Sequence, residues 1–554
     1  MFACRRPWSM LIAGILAGWC GLAWAQDWPQ WGGTEQRNMA SQQKGLPAWF
    51  YPGEKRPDGS GIDLATTRNV KWVARLGSHA LGSPTVSGGK VFVGTNDYAP
   101  ADPRHRSTRG GAVRCFVEAT GRPLWELIIP RIVIDREELK FDHMDLGVCS
   151  SPTVDGNRVY VVTNRCEVLC LDVNGMADGN HGPFYDEGQY IAGPGMPPVL
   201  PTSFDADILW RYDMMAELGV WPHDAANCSV LVYGDMVYVC TSNGVDRKLR
   251  KAPSPLAPSL IVLHKHTGRL VAQDGEQIGT RVFHGQWSSP SLGVVDGRPL
   301  VFFGAGDGIC YAFEALQQAY DHPVLLKKVW WFDCNPPHYR YRDGKPIDYW
   351  SGDARFSKAN RNDGTFLGPS EIIATPVFYN NRVYVAVGQD PLHGRGRGIV
   401  QAIDATQTGD ISLTGRVWSF EGLDRTMSTV SIADGLLYIV DFTGALYCLD
   451  AETGRHYWTH QTNAEIWGST MVADGKIYLG TQKSLWVLAA GKQKKVLSEI
   501  RLGSPCWCTP VAANGVLFVA SQRFLWAVQD SNGQQGRSEQ SAPLEPARAR
   551  SARP

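Results

Sequence analysis

Apolar residues alternate with polar ones in short runs along most of this chain, and the clearest stretch is STVSIADGLLYIVDFTGALYCLDAETGRHYW at residues 428–458. An alternating run, a tight turn at Ala433-Asp434-Gly435, a second apolar run, a polar turn and a third run follow in order. The stretch ends in Asp450-Ala451-Glu452-Thr453-Gly454, with Trp458 four residues beyond the glycine. Period-2 alternation broken by Gly and Asp predicts short antiparallel strands. One four-stranded meander of this kind cannot bury both its faces, so it requires neighbours of its own type.

Those neighbours are present. The opening strand, turn and second strand recur as LGSPTVSGGKVFV from Leu81, CSSPTVDGNRVYV from Cys149, NCSVLVYGDMVYV from Asn227 and WSSPSLGVVDGRPLVFF from Trp287. They recur again as IATPVFYNNRVYV from Ile373, MSTVSIADGLLYI from Met427, WGSTMVADGKIYL from Trp467 and WCTPVAANGVLFV from Trp507. Eight copies at intervals of about 40 to 86 residues predict an all-β fold, an eight-bladed β-propeller of four-stranded antiparallel blades over residues 69–530. The eighth copy ends near Asp530 without a fourth strand, while residues 69–76 (NVKWVARL) form a strand with no partner before them. Pairing these two ends would complete the last blade and remove an exposed sheet edge. Residues 26–68, rich in Trp, Pro and Gly, read as an irregular arm on the folded body, and residues 531–554 as a disordered tail.

Bulk properties fit this picture. A chain of 554 residues is too long for one ordinary core, and 44% hydrophobic with 19% charged residues describes a folded protein. Basic and acidic residues balance at 54 each, so no global charge points to nucleic acid or an anionic membrane. Arg5 and Arg6, an apolar run at residues 10–24 and Ala23-Trp24-Ala25 predict a signal peptide (1–25) cleaved after Ala25, hence a periplasmic or extracellular protein that does not span the membrane after cleavage. Eleven of 13 cysteines would remain, an odd number that requires at least one free or intermolecular thiol, and several sit in apolar strand patterns as small buried hydrophobes. There is no Cys-x-x-Cys-His and no paired zinc-ligand spacing.

The A-x-T-G-x-x-x-W turn at 451–458, with weaker relatives around residues 121–125, Gly268 and Trp418, resembles the repeat of the pyrroloquinoline-quinone (PQQ) propeller family. The resemblance covers about residues 69–530 and implies that each tryptophan docks on the turn of the neighbouring blade. That family contains quinoprotein alcohol dehydrogenases and non-catalytic relatives such as the outer-membrane assembly lipoprotein. For a dehydrogenase the resemblance implies PQQ stacked between a tryptophan and a disulfide of adjacent cysteines, calcium held by a glutamate and an asparagine, and an aspartate base. This chain has no adjacent cysteine pair; the nearest approach is Cys506-Trp507-Cys508. Nor does it carry a fused haem domain.

Strand alternation, with A innermost and D outermost, places D–A and B–C connections on one face and A–B turns on the other. The long D–A excursions are 128–147 and 333–371, and the long B–C ones are 95–112, 242–259 and 388–398; a C–D insertion at 175–207 goes to the opposite side. Aligning the copies puts His79, Asp145, His223 with Asp224, His284 with Gln286, Glu371, Asp424 with Arg425, and Glu465 just before strand A, at the central mouth. His and carboxylate groups there suit acid–base or metal chemistry, or are simply solvated loop residues. Trp287, Trp467 and Trp507 occupy the first strand-A position as a floor for a planar ligand, or as a plug of the channel. Basic residues gather in the B–C loops (Arg104, His105, Arg106, Arg109; Arg247, Lys248, Arg250, Lys251; His393, Arg395, Arg397), and the 333–371 loop has the composition of a lid. The acidic stretch at 172–187 has calcium-loop composition without EF-hand spacing. Together these features favour a non-catalytic binding or scaffold protein of the cell envelope that takes a protein, peptide or glycan on its loop-rich face. The alternatives are a quinoprotein dehydrogenase using PQQ and calcium, and a metal-assisted hydrolase or lyase at the mouth.

Overall fold

Each sequence repeat folds into the meander its alternation predicts. In the sixth blade, strands Ser431–Ala433, Leu436–Val440, Ala445–Asp450 and His456–Gln461 pair in order, with Ser431 opposite Tyr438, Leu436 opposite Asp450 and Cys448 opposite Trp458. The computed structural model describes residues 26–133, 137–248, 251–346, 369–388 and 397–530. The expected signal peptide, the C-terminal tail and most of the 333–371 loop lie outside the described residues, as do Arg250, His393 and Arg395. Eight such sheets are present, with innermost strands Thr85–Ser87, Thr153–Asp155, Leu231–Tyr233, Ser291–Val295, Val377–Tyr379, Ser431–Ala433, Met471–Ala473 and Val511–Ala513.

The ring closes as expected. Strand Val70–Arg75 pairs antiparallel with Phe524–Val528, placing Trp72 opposite Ala527, and becomes the outer strand of the eighth blade. Blades 3 and 4 each gain a short fifth strand, parallel to their outer edges: Val324–Leu325 beside Leu270–Gln273, and Gly409–Asp410 beside Lys328–Asp333.

The docking tryptophans hold neighbouring blades in phase. Indole Nε1 groups donate to a turn carbonyl of the next blade: Trp72 to Glu118, Trp125 to Val173, Trp210 to Lys265, Trp330 to Ala405, Trp418 to Ala451 and Trp458 to Gly491, at 2.8 to 3.2 Å. Gly454 at φ +71° lies so close to Trp418 that a Cβ would fall 2.6 Å from the indole ring. The Thr-Gly step is thus required twice over, for the left-handed backbone and for close approach of the ring.

The arm does more than lie on the body. An innermost strand leaves one row of backbone groups facing the channel, and buried N–H and C=O groups need partners. Residues 26–43 supply them around the whole ring. Trp28 exchanges backbone bonds with Val86, and the amides of Val154, Leu292, Phe378 and Val472 donate to the carbonyls of Pro29, Glu35, Gln36 and Met39. Asn38 uses both ends of its amide on Ile432, and Ser41 Oγ donates to the Ala512 carbonyl. In blade 3 the fully buried Arg37 serves instead: Nη2 donates to Val230 O at 2.8 Å and Nε to Pro290 O at 3.0 Å. Burial pulls its guanidinium down to about 10, which leaves it charged across the neutral range.

Candidate functional site

Eight blades and the arm together enclose one axial cavity of about 200 Å³. Its wall repeats with the sequence. The first position of every copy lines it (Leu81, Cys149, Asn227, Trp287, Ile373, Met427, Trp467, Trp507), and so does the third, which is Ser or Thr in all eight (Ser83, Ser151, Ser229, Ser289, Thr375, Thr429, Ser469, Thr509). The hydroxyls form a belt. The backbone N–H of Ser151 donates to Ser229 Oγ, Ser229 to Ser289, Thr375 to Thr429, Thr429 to Ser469, Ser469 to Thr509 and Thr509 to Ser83, at 2.9 to 3.1 Å. Trp31 of the arm enters from below, and its Nε1 donates to Thr375 Oγ1 at 3.1 Å. The belt and Trp31 escaped the sequence reading, although an invariant Ser/Thr at the third position of every copy was the signal for the belt.

The floor tryptophans come together unequally. Trp467 and Trp507 have ring centroids 5.7 Å apart, with Phe442 5.6 Å from Trp467. Trp287 sits across the cavity, buried, its Nε1 donating to the carbonyls of His223 and Ala225. Trp467 and Trp507 are tilted by 52° to one another, and Met144, Leu146, Met427, Leu81 and Ile373 also line the cavity.

The polar residues of the mouth do not form one ring. Asp145 is tied by Arg109 at 2.7 Å and Arg131 at 2.9 Å. His79 is half-buried beside Ser78 and Asn96, and burial lowers its pKa. Gln286 is turned into the blade, donating to Asn243 O and Ser259 Oγ. Arg425 lies 4.5 Å over the Phe442 ring, Asp424 accepts the Arg425 amide, and Glu465 is exposed. The groups that the alignment puts at the central mouth therefore do not all share one point: a shift of one or two residues along a loop changes the radius at which a side chain sits, and Asp145 finds ion-pair partners there.

Four residues do converge, on blades 3 to 5. The imidazoles of His223 and His284 are buried with ring centroids 4.5 Å apart. His223 Nδ1 is 2.8 Å from the Val245 carbonyl, and its Nε2 is 3.7 Å from Asp224 Oδ2. Asp224 Oδ1 pairs with Lys140 Nζ at 2.9 Å, and the buried Glu371 carboxylate is 3.8 Å from His284 Nδ1. Nearby, burial pushes the Asp142 carboxyl up to about 7, opposed by the Asn164 amide bonded to it.

In the first basic B–C loop, Arg104 and His105 are engaged in ion pairs, while Arg106, Arg247, Lys248, Lys251 and Arg397 are exposed. Arg104 bridges Asp102 at 2.6 Å and Asp205 at 3.0 Å, and His105 lies between Asp205 at 3.0 Å and Glu126 at 3.5 Å. Burial would lower the His105 pKa, but the two carboxylates outweigh it and raise it to about 9. The acidic 172–187 stretch likewise bonds to itself, Asn174 to Asp178 and Asn180 to Glu187.

The described lining does not fit the quinone. A flat, carboxylate-rich cofactor needs cations, and the cavity wall holds no Lys, Arg or His and a single carboxylate, Asp224. All eleven described cysteines are free; Cys506 Sγ faces Ala520 O and Cys508 Sγ faces Ala80 O, so neither supplies the stacking disulfide. Burial raises these thiol pKa values, Cys506 to about 12, which keeps them protonated and unreactive.

Docked tryptophans, Thr-Gly turns and a strand-closed ring define the class: an eight-bladed β-propeller of PQQ-type repeats. Residues 396–553 match the family model described as outer membrane protein assembly factor BamB. No curated protein matches the sequence. Similar solved structures include BamB from Moraxella catarrhalis, at 13% identity over 85% of this chain and 99% of that one, with a TM-score of 0.47. They also include the quinohemoprotein alcohol dehydrogenase from Comamonas testosteroni, at 12% identity over 94% of this chain and 83% of that one, with a TM-score of 0.44. Among the described residues no helix is long and apolar enough to cross a membrane.

Proposed function

We propose that this chain is a non-catalytic binding propeller of the cell envelope that anchors an apolar side chain of a partner protein in its axial cavity. One observation carries the reading: a socket of about 200 Å³ that the chain's own arm stops from below, walled by tryptophan, methionine and aliphatic groups above a hydroxyl belt. Buried aromatic anchors surrounded by adaptable methionines are the usual core of a protein–protein contact. The envelope location is supported by the expected signal peptide and by the family match of residues 396–553. Ten of the eleven described thiols are buried, which is compatible with an oxidising compartment.

The test is a cross-linking capture from envelope extract, comparing the native chain with Met427→Arg and Leu146→Arg, which place a charge in the socket. Both variants should lose the specific partner about tenfold or more while keeping the native unfolding midpoint. Unchanged capture by both would exclude the socket. Quinone absorbance with dye-linked alcohol oxidation, after incubation with PQQ and calcium, would replace this reading by the dehydrogenase.

A further inference from the structure

We infer that His223, His284 and Asp224 form a site for one divalent transition-metal ion of the zinc type, at the rim between blades 3 and 4. Their donor atoms, one from each residue, all lie within 4.8 Å of one another, and all three residues are buried. Among the described residues they are the one such group of His, Cys, Asp or Glu. Zinc held at about 2.0–2.1 Å keeps tetrahedral donors roughly 3.3 Å apart, so a modest contraction suffices.

Position alone would not distinguish a metal site from two packed histidines; the surrounding groups do. Metal-bound imidazoles characteristically direct their second nitrogen to a carbonyl or carboxylate, which fixes ring orientation and tautomer. His223 directs Nδ1 to the Val245 carbonyl at 2.8 Å, so Nε2 is the nitrogen toward Asp224 Oδ2. Glu371 Oε1 stands 3.8 Å from His284 Nδ1, in the equivalent place.

The third donor is held in advance. Asp224 adopts φ +56°, a conformation that side chains other than Gly, Asn and Asp rarely take. Two backbone bonds hold it there, from the Asp224 amide to Lys140 O at 2.7 Å and from the Asp142 amide to Asp224 O at 3.0 Å. Lys140 occupies Oδ1 and leaves Oδ2 on the histidine side. Two nitrogens and one carboxylate oxygen in a buried setting select a zinc-type ion over calcium or magnesium, which prefer oxygen donors. Asp224 also lines the axial cavity, so the ion would sit at the edge of the socket.

Titration of the purified full chain with Co2+ tests the site. One equivalent should produce the visible d–d absorption of a low-coordinate nitrogen/oxygen site, one equivalent of Zn2+ should abolish it, and Zn2+ should raise the unfolding midpoint. Asp224→Asn, whose side chain tolerates the left-handed backbone, and His284→Gln should each weaken Co2+ binding tenfold or more while retaining the native circular dichroism spectrum. A folded native chain without a stoichiometric band overturns the site, as does a band that survives both substitutions. Partner capture by the metal-free chain reads the socket separately, so either proposal can fail alone.

Discussion

The two ends of the central channel are closed by different physics. At the A–B end the arm makes backbone-directed hydrogen bonds to the inner strands around the ring, and its fully buried Arg37 spends itself on carbonyls. At the loop end the residues differ from blade to blade: ion pairs at blades 1 and 2, imidazoles and carboxylates at blades 3 to 5, aromatic rings at blades 6 to 8. Uniform closure makes a wall; uneven closure leaves an asymmetric socket that can distinguish one ligand orientation from another.

This contrast can be broken by measurement. Arg37→Ala should cost the most, about 3 kcal/mol in denaturant unfolding, because the carbonyls of Val230 and Pro290 lose a donor while remaining buried. Asn38→Ala removes one donor and one acceptor opposite Ile432 and should cost about 1–2 kcal/mol by the same measurement. At the other end Trp467→Ala opens the half-buried side of the socket, and about 1 kcal/mol or less is expected. A Trp467→Ala loss as large as that of Arg37→Ala would show that both ends bear the fold equally.

A separate effect is one of pH. The folded His105 pKa lies near 9, above its unfolded value of about 6.5, so its contribution is complete below pH ~6.5 and fades as pH rises through 9. The native unfolding midpoint should therefore decline between those limits, and His105→Gln should flatten that decline. The arm end should not respond in this range, since Arg37 remains protonated until about pH 10.

Blade number and the closing strand at 70–75 were legible in the sequence because each depends on side-chain pattern, and docking by Trp418 and Trp458 was legible through the repeat they resemble. The first-position residues were legible for the same reason, and all eight line one cavity. The arm was not, because Pro29, Glu35, Gln36 and Met39 act through their carbonyls, which every residue type possesses. The rim was half legible. Alignment placed His223, His284 and Glu371 in neighbouring copies, where the structure brings them together, but it could not foresee Arg109 and Arg131 reaching across to occupy Asp145.

The threaded arm also sets an order of events. Asp27 and Asn514 are 487 residues apart yet share a hydrogen bond, and Gln43 accepts the amide of Gly515. Residues 26–43 therefore find their last partners only after nearly the whole chain exists. Contacts of such separation form late and slowly. A newly made chain must keep residues 26–43 uncommitted while the blades assemble, so folding ends where synthesis began.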